Sequence, residues 1–415
     1  MNDPVVIVGA SMGGLRTAEA LRRNGYLGQI KIIGDEVHQP YNRPPLSKEV
    51  LATSVSHSAV KFPHTLTEDN TNWILGTKVV RADPWTHKVF DEFGNEHPYS
   101  ALVIATGLRP RKLNLPNVDV HGCHALRTLD DAIALREKLV PGAKVVIVGA
   151  GFIGCEVAST ALSLGCEVTL VSADAHPMVG ALGTEFASEL QRRHESFGLT
   201  YFLTAGVEEI ITQESQVGPK VCGLKLTSGE TLECDVLVQA IGSHTNTEWL
   251  QNSGLDTTDG VLTNGALQAI DAMGNVAPNV FAVGDVARFP NPIFDDVPRR
   301  VEHWNIPVET AKRVGQVVAA KLESSEKFQT VVAQDFAPIP SFWSDQFDLK
   351  LLAFGNLALA DESKFIFGEI SGDCVWGYYR DGVMVGVCGI GLRSVVQSYR
   401  ISIQSHVSIT PNAQD

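Results

Sequence analysis

The chain has 415 residues, 44% of them hydrophobic and 19% charged, with a formal net charge of −14. That length exceeds what one hydrophobic core serves, so two or three domains are expected. The acidic balance argues against nucleic acid as the main partner, because a phosphate backbone demands a basic face, and no apolar run reaches the roughly 20 residues that span a bilayer.

The first predicted element is a strand over Val5–Val8, apolar and β-branched throughout. Gly9, Ser11 and Gly14 follow at G-x-G-x-x-G spacing, with Ser in the middle position, and open a helix over about 13–24 whose Leu15, Ala18 and Leu21 recur at helical spacing. "YLGQIKIIGDE" (26–36) supplies the next strand and ends in Asp35 and Glu36. In such a unit the first glycine permits a tight turn, the middle position lets the backbone approach a pyrophosphate, and the third lets the helix pack on the strand. The helix N-terminus offers free N–H groups to phosphate, and the acid after the second strand can hold an adenosine ribose hydroxyl.

"YSALVIATGLRPR" (99–111) gives an apolar strand running into Ala105, Thr106 and Gly107. The opening device then returns. "VVIVGAGFIGCEVASTAL" (145–162) places Gly149 140 positions after Gly9, with Gly151 and Gly154 completing the spacing. Its second strand, "CEVTLVSAD" (166–174), carries Ser172 where an acid usually stands, with Asp174 two residues on. "CDVLVQAIGSHTN" (234–246) is a second glycine-ended strand, closing on Gly242 and followed by Asn246, and "NVFAVGDVARF" (279–289) is a third, closing on Gly284 and Asp285. Two such units predict two dinucleotides: a flavin that stays and a nicotinamide that comes and goes. Beyond about residue 329, alternating apolar and polar residues with glycine turns predict an antiparallel sheet, and "LRSVVQSYRISIQS" (392–405) a closing helix. The tail "TPNAQD" is expected to be disordered. Seven cysteines form no C-x-x-C and no pair at zinc-ligand spacing, so reduced structural thiols, no metal site and a cytoplasmic setting are expected.

In their order across residues 1–320 these motifs resemble the FAD-dependent pyridine-nucleotide oxidoreductases. More narrowly, "PYNRPPLSKEVL" (40–51), "LRTLDDA" (126–132), "RRVEHWNIPVETA" (299–311) and "FWSDQFDLKL" (342–351) are similar to the ferredoxin and rubredoxin reductases that feed oxygenases. The resemblance implies an α/β fold of two Rossmann-like dinucleotide-binding domains, the second inserted in the first, with a C-terminal α+β domain. The expected boundaries are 1–111 with 241–328 for FAD, 112–240 for NAD(P)H, and 329–415 for the last domain. Carried over position by position, it implies FAD contacts from Gly13, Asp35, Lys48, Val79, Arg127, Asp285 and Trp304, with Thr106 and Gly107 along the cofactor. Lys48 is expected beside the reactive edge of the flavin. Glu156 is expected to contact Lys48 or the nicotinamide amide. The nicotinamide nucleotide is expected on Gly149, Gly151, Gly154, Glu156, Ser172 and Gly242. Trp343, Phe342 and Phe347 are expected mostly in the core.

Disulphide reductases of this fold carry a cysteine pair after the second strand; here that stretch reads "NRPPLSKEVL" and has none. Electrons are therefore expected to leave the flavin directly to an external acceptor, a small iron–sulfur protein. An acidic partner would seek a basic patch, for which Arg299, Arg300, Lys312, Arg313, Lys364, Arg393 and Arg400 are candidates. With an acid lost at Ser172 and no Arg or Lys following it, NADH is favoured, Asp174 standing as a substitute acid, and NADPH remains open. A monomer or weak dimer is expected. The alternatives are a small-acceptor NADH oxidoreductase and a redox switch of the apoptosis-inducing-factor kind.

Overall fold

Four consecutive residues at Val5–Val8 are at most 4% exposed, which requires a strand covered on both faces. The computed structural model describes residues 3–53 and 55–404. Val5–Val8 lies at the centre of a six-stranded sheet, between Ala101–Ile104 and Ile30–Gly34, with Thr71–Leu75 beyond. Those four strands and Val276–Ala282 are parallel; only the edge strand Gln268–Ile270 runs the other way.

The second sheet repeats this order. Lys144–Val148 lies between Val236–Gln239 and Glu167–Val171, with Thr200–Phe202 and Cys123–Ala125 at the edges, all parallel. Val276–Ala282 follows this sheet in sequence yet pairs with Ala101–Ile104, so the chain leaves the first sheet, builds the second, and comes back. The molecule is thus a mixed α/β fold with two Rossmann-like units.

The antiparallel sheet expected near the C-terminus is present, in the order Ser341–Gln346, Leu349–Gly355, Val383–Ile390, Cys374–Arg380, Glu362–Gly368. It begins later than about 329, because Ser325–Val332 is a helix capped by the Ser324 side chain, which accepts from the Lys327 N–H. The closing helix is two short ones, Arg393–Ser398 and Arg400–Gln404. The segment "TPNAQD" lies outside the described residues.

The returning chain is locked to the first unit by helix packing. Helix Met12–Arg23 crosses helix Ile306–Glu323 so closely that a methyl group on Gly315 would sit 2.4 Å from Ala20 Cβ and 2.9 Å from its carbonyl carbon. The same long helix fixes the Gly284 turn, since Thr310 Oγ1 accepts from the Gly284 N–H at 2.9 Å and donates to the Ile306 carbonyl at 2.6 Å. Gly315→Val should force the two helices apart and cost at least about 1–3 kcal/mol of stability. Chemical denaturation of the purified variant checks this; an unchanged midpoint would show that the crossing is not tight.

Candidate active site

The two glycine turns are built alike. Gly9 has φ +118° and Gly149 φ +109°, a region open to glycine. A side chain at Gly9 would meet the Ala105 carbonyl oxygen at 2.2 Å, and one at Gly149 the Ala240 oxygen at 2.3 Å. At the third positions, Gly14 and Gly154, a Cβ would lie 2.0 and 2.1 Å from the carbonyl oxygens of Gly9 and Gly149. These four glycines are demanded by backbone packing.

The middle position differs. A Cβ on Gly151 would have no protein atom within 4 Å, so nothing in the protein itself requires glycine there. The position is exposed and borders the cavity described next. Ser11 occupies the matching place in the first turn and carries its side chain without conflict. Neither following helix has an acid in its first turn, so the N-terminal N–H groups face no competing charge.

Both turns open into one cavity of about 1190 Å3. Gly9, Ser11, Gly13, Thr106 and Gly107 line it from the first unit, with Asp35 and Val79. Lys48, Arg127, Asp285 and Trp304 line it too, and Gly151, Glu156 and Gly242 reach it from the second unit. Gly14, Gly149, Gly154 and Ser172 are not part of its wall; the first three act through the backbone. Ser172 is buried, and its hydroxyl accepts from the Asp174 N–H at 3.2 Å, holding the turn. Thr106 and Asn246 stitch two glycine-ended strands together, Thr106 Oγ1 donating to the Asn246 carbonyl at 2.8 Å and Asn246 Nδ2 to the Thr106 carbonyl at 2.9 Å.

At one end of the cavity Glu36 is occupied by Arg43 at 2.5 Å and by the Tyr41 hydroxyl, and the exposed Asp35 beside it is bonded to none of the described residues. Arg43 Nη1 donates to the Arg127 carbonyl at 2.6 Å. Arg127 is 3.5 Å from Asp285. Burial, then the nearby Arg43 charge, lowers the Arg127 pKa, and burial raises that of Asp285. The two groups are each other's partner at this end of the cavity.

At the centre, Lys48 Nζ and Glu156 Oε2 form an ion pair at 2.7 Å, the side chains 14% and 8% exposed. Ser47 Oγ donates to the same carboxylate oxygen at 2.5 Å and Ser344 Oγ to the other at 2.6 Å. The contact expected between Lys48 and Glu156 is therefore present. Arg43, Ser47 and Ser344 were not singled out from sequence, although each lies inside a stretch quoted above; a serine among serines carries no signal until its partner is seen.

Aromatic rings close the far side. Phe342 packs on Phe152 at 4.8 Å and against His303 at 5.0 Å, and Trp304 meets Trp343 edge to face at 5.1 Å. Burial pushes the His303 pKa down to about 4, so the ring is neutral. Of the three aromatics expected in the core, Phe347 packs on Phe197 away from the cavity, while Phe342 and the 38%-exposed Trp343 belong to its wall. No cysteine lines the cavity among the described residues. Cys155, beside Glu156, is fully buried, and burial pushes its thiol up to about 12.

The family model described as pyridine nucleotide-disulphide oxidoreductase matches residues 3–314, and the chain belongs to that family. It is 32% identical over 377 residues to the ferredoxin–NAD(+) reductase component of the p-cumate 2,3-dioxygenase system of Pseudomonas putida, covering 91% of this chain and 86% of the relative. It is also 32% identical over 365 residues to the rubredoxin–NAD(+) reductase of Ectopseudomonas oleovorans, covering 87% and 88%. Among solved structures, the ferredoxin reductase of the CYP199A2 system from Rhodopseudomonas palustris superposes with TM-score 0.86 at 31% identity, covering 97% of this chain and 95% of that one. The reductase of the covalent putidaredoxin reductase–putidaredoxin complex does so with TM-score 0.87 at 26% identity, covering 98% and 94%.

The middle and third glycines make opposite predictions. Gly151→Ala should leave folding stability within about 0.5 kcal/mol while weakening nicotinamide-nucleotide binding, whereas Gly154→Ala should destabilise the second unit outright. Thermal melting with and without nucleotide separates the two; a Gly151→Ala protein that binds nucleotide normally would show that the gap is not reserved.

Proposed function

We propose that the chain transfers reducing equivalents from NADH, with NADPH as a weaker donor, through bound FAD to a small iron–sulfur protein that serves an oxygenase. The observation that carries this reading is the single cavity into which two dinucleotide turns open, with Lys48 and Glu156 between them and no thiol in reach. FAD, when bound, supplies the chemistry, accepting a hydride and releasing electrons singly. The residues supply position and charge. Residues 1–111 with 241–328 would hold FAD and 112–240 the nicotinamide nucleotide. Gly13 and the helix behind it, with Arg43 and Arg127, would face the pyrophosphate. Asp35 would take the adenosine ribose and Asp285 the polyol chain. Lys48 would place a cation where negative charge develops, held in aim by Glu156. The aromatic wall of Phe152, Phe342 and Trp304 would exclude water.

The partner side rests on a second, smaller cavity of about 660 Å3 that shares Trp304 and Trp343 with the first. Leu351, Leu352, Gly391, Leu392, Arg393 and the ion pair of Lys350 with Asp345 complete it. A one-electron acceptor seated there would be separated from the main cavity by two indole rings. The basic patch expected from sequence needs correction. Arg313 is buried and donates to the carbonyls of Val331 and Gln334, and Arg299 is paired with Asp295. Arg300 is held by Asp259 and Glu302, Lys312 by Glu309 and Lys364 by Glu362. Arg393 is the member of the set that lines the second cavity. Apolar contact with local charge therefore replaces a broad field as the proposed basis of docking.

The coenzyme preference follows from Asp174, exposed beyond Ser172, and from the lack of any Arg or Lys at 172–178 to bind a 2′-phosphate. Reduction of oxygen to water is disfavoured because no cysteine borders the cavity among the described residues.

In anaerobic stopped-flow, NADH should bleach the flavin and a ferredoxin should restore its colour. Lys48→Ala should slow the first step roughly a hundredfold with FAD still bound. Bleaching at the wild-type rate in that variant would remove Lys48 from its role. The ferredoxin step should fall less than about tenfold on raising salt across the physiological range; a steeper fall would restore the broad basic patch.

A further inference from the structure

Strand Ser341–Gln346 lies along helix Phe152–Ser163 in matched register. Phe342 packs on Phe152, Ser344 bonds Glu156 at 2.6 Å, and the Phe347 N–H just beyond the strand donates to Ser159 Oγ at 2.6 Å. Four helical residues advance about 6 Å and two strand residues about 6.6 Å, so the Phe152–Phe342 and Glu156–Ser344 pairs fall into step. Alternation then splits the strand. Phe342, Ser344 and Gln346 face the helix, while Trp343 and Asp345 line the second cavity.

Ser344 and Gln346 are both fully buried. An ionised carboxylate has no proton to give, so the single hydroxyl proton of Ser344 goes to Glu156 Oε1. The Ser344 oxygen is then free to accept, and Gln346 Nε2 donates to it at 2.9 Å. The donors run one way, Gln346 to Ser344 to Glu156, and meet the Lys48 ammonium and the Ser47 hydroxyl from the opposite side. A buried carboxylate needs such donors, and each is worth more than a neutral hydrogen bond.

We propose that Ser344, backed by Gln346, is a positioning residue that keeps the Glu156 carboxylate aimed at Lys48, so that the C-terminal sheet sets where that ion pair sits inside the dinucleotide cavity. The inference rests on the flavoenzyme reading of that cavity. The groups facing Glu156 are Lys48 and Ser47 from the segment after the second strand, Ser344 from the C-terminal strand, and the neutral Cys155 thiol beside it on the helix. Lys48 is the one charged partner bonded to it among the described residues. Without the Ser344 hydroxyl the carboxylate loses one of its three donors, and Lys48 loses a partner held in one direction.

The test uses the FAD-loaded protein and three variants, Ser344→Ala, Ser344→Thr and Gln346→Met. Two quantities are followed: the visible spectrum of the bound oxidised flavin with no nucleotide present, and the rate of flavin reduction by NADH. Melting temperature is recorded alongside. Ser344→Ala should shift the flavin spectrum and slow reduction about tenfold, Gln346→Met should do both by less, and Ser344→Thr should restore both. Variants that melt lower while spectrum and rate stay put would overturn the proposal and leave Ser344 a packing residue. A wild-type chain that binds no FAD is a different failure, because it removes the flavoenzyme reading on which the inference stands. If Ser344→Ala does not fold, Gln346→Met and Ser344→Thr still decide.

Discussion

The arrangement of the site depends on one buried carboxylate. Glu156 is on the helix of the second dinucleotide unit, its ammonium partner Lys48 follows the second strand of the first, and Ser344 reaches it from the C-terminal sheet. A charge so little exposed persists only if its donors stay in place, and those donors come from three parts of the chain. Glu156 thereby ties the relative position of those three parts together. The cavity, its aromatic wall and the second cavity behind Trp304 and Trp343 all sit on that shared point.

Much of the fold was legible because the signals are local and steric. Gly9 and Gly149 must adopt positive φ beneath a carbonyl oxygen, and Gly14 and Gly154 must let a helix start against the turn. Nothing distant can relieve those demands, so the spacing survives in sequence. The flanking strands follow for the same reason, being runs that only a two-sided sheet can bury. The contact between Lys48 and Glu156 was expected from resemblance, and the geometry provides it.

What was not legible depends on partners far apart in sequence. Ser47 and Ser344 look like any serine until the fold places each within 2.6 Å of one carboxylate. Arg313 reads as a surface charge, yet it spans 18–21 residues to collect the carbonyls that end helix Ser325–Val332. Arg300 likewise meets Asp259, 41 residues earlier, whereas Arg299 and Lys312 are paired by acids three or four positions away. Ser172 was expected at the nicotinamide nucleotide; its hydroxyl accepts from the Asp174 N–H, a bond that the residue type alone does not announce.

The return of the chain to its first sheet also governs how the protein is made. Val276–Ala282 closes that sheet about 170 residues after Ala101–Ile104 is synthesised. At about 5–20 residues per second, the interval on the ribosome is roughly 10–35 s. Throughout it the edge of "ALVI" lacks its neighbour, and the surface that helix Ile306–Glu323 will cover on Met12–Arg23 is bare. The second unit, continuous in sequence, can fold in that time; the first cannot. Unpaired apolar edges invite pairing with other chains, so a nascent molecule stalled in this window is the form most exposed to aggregation.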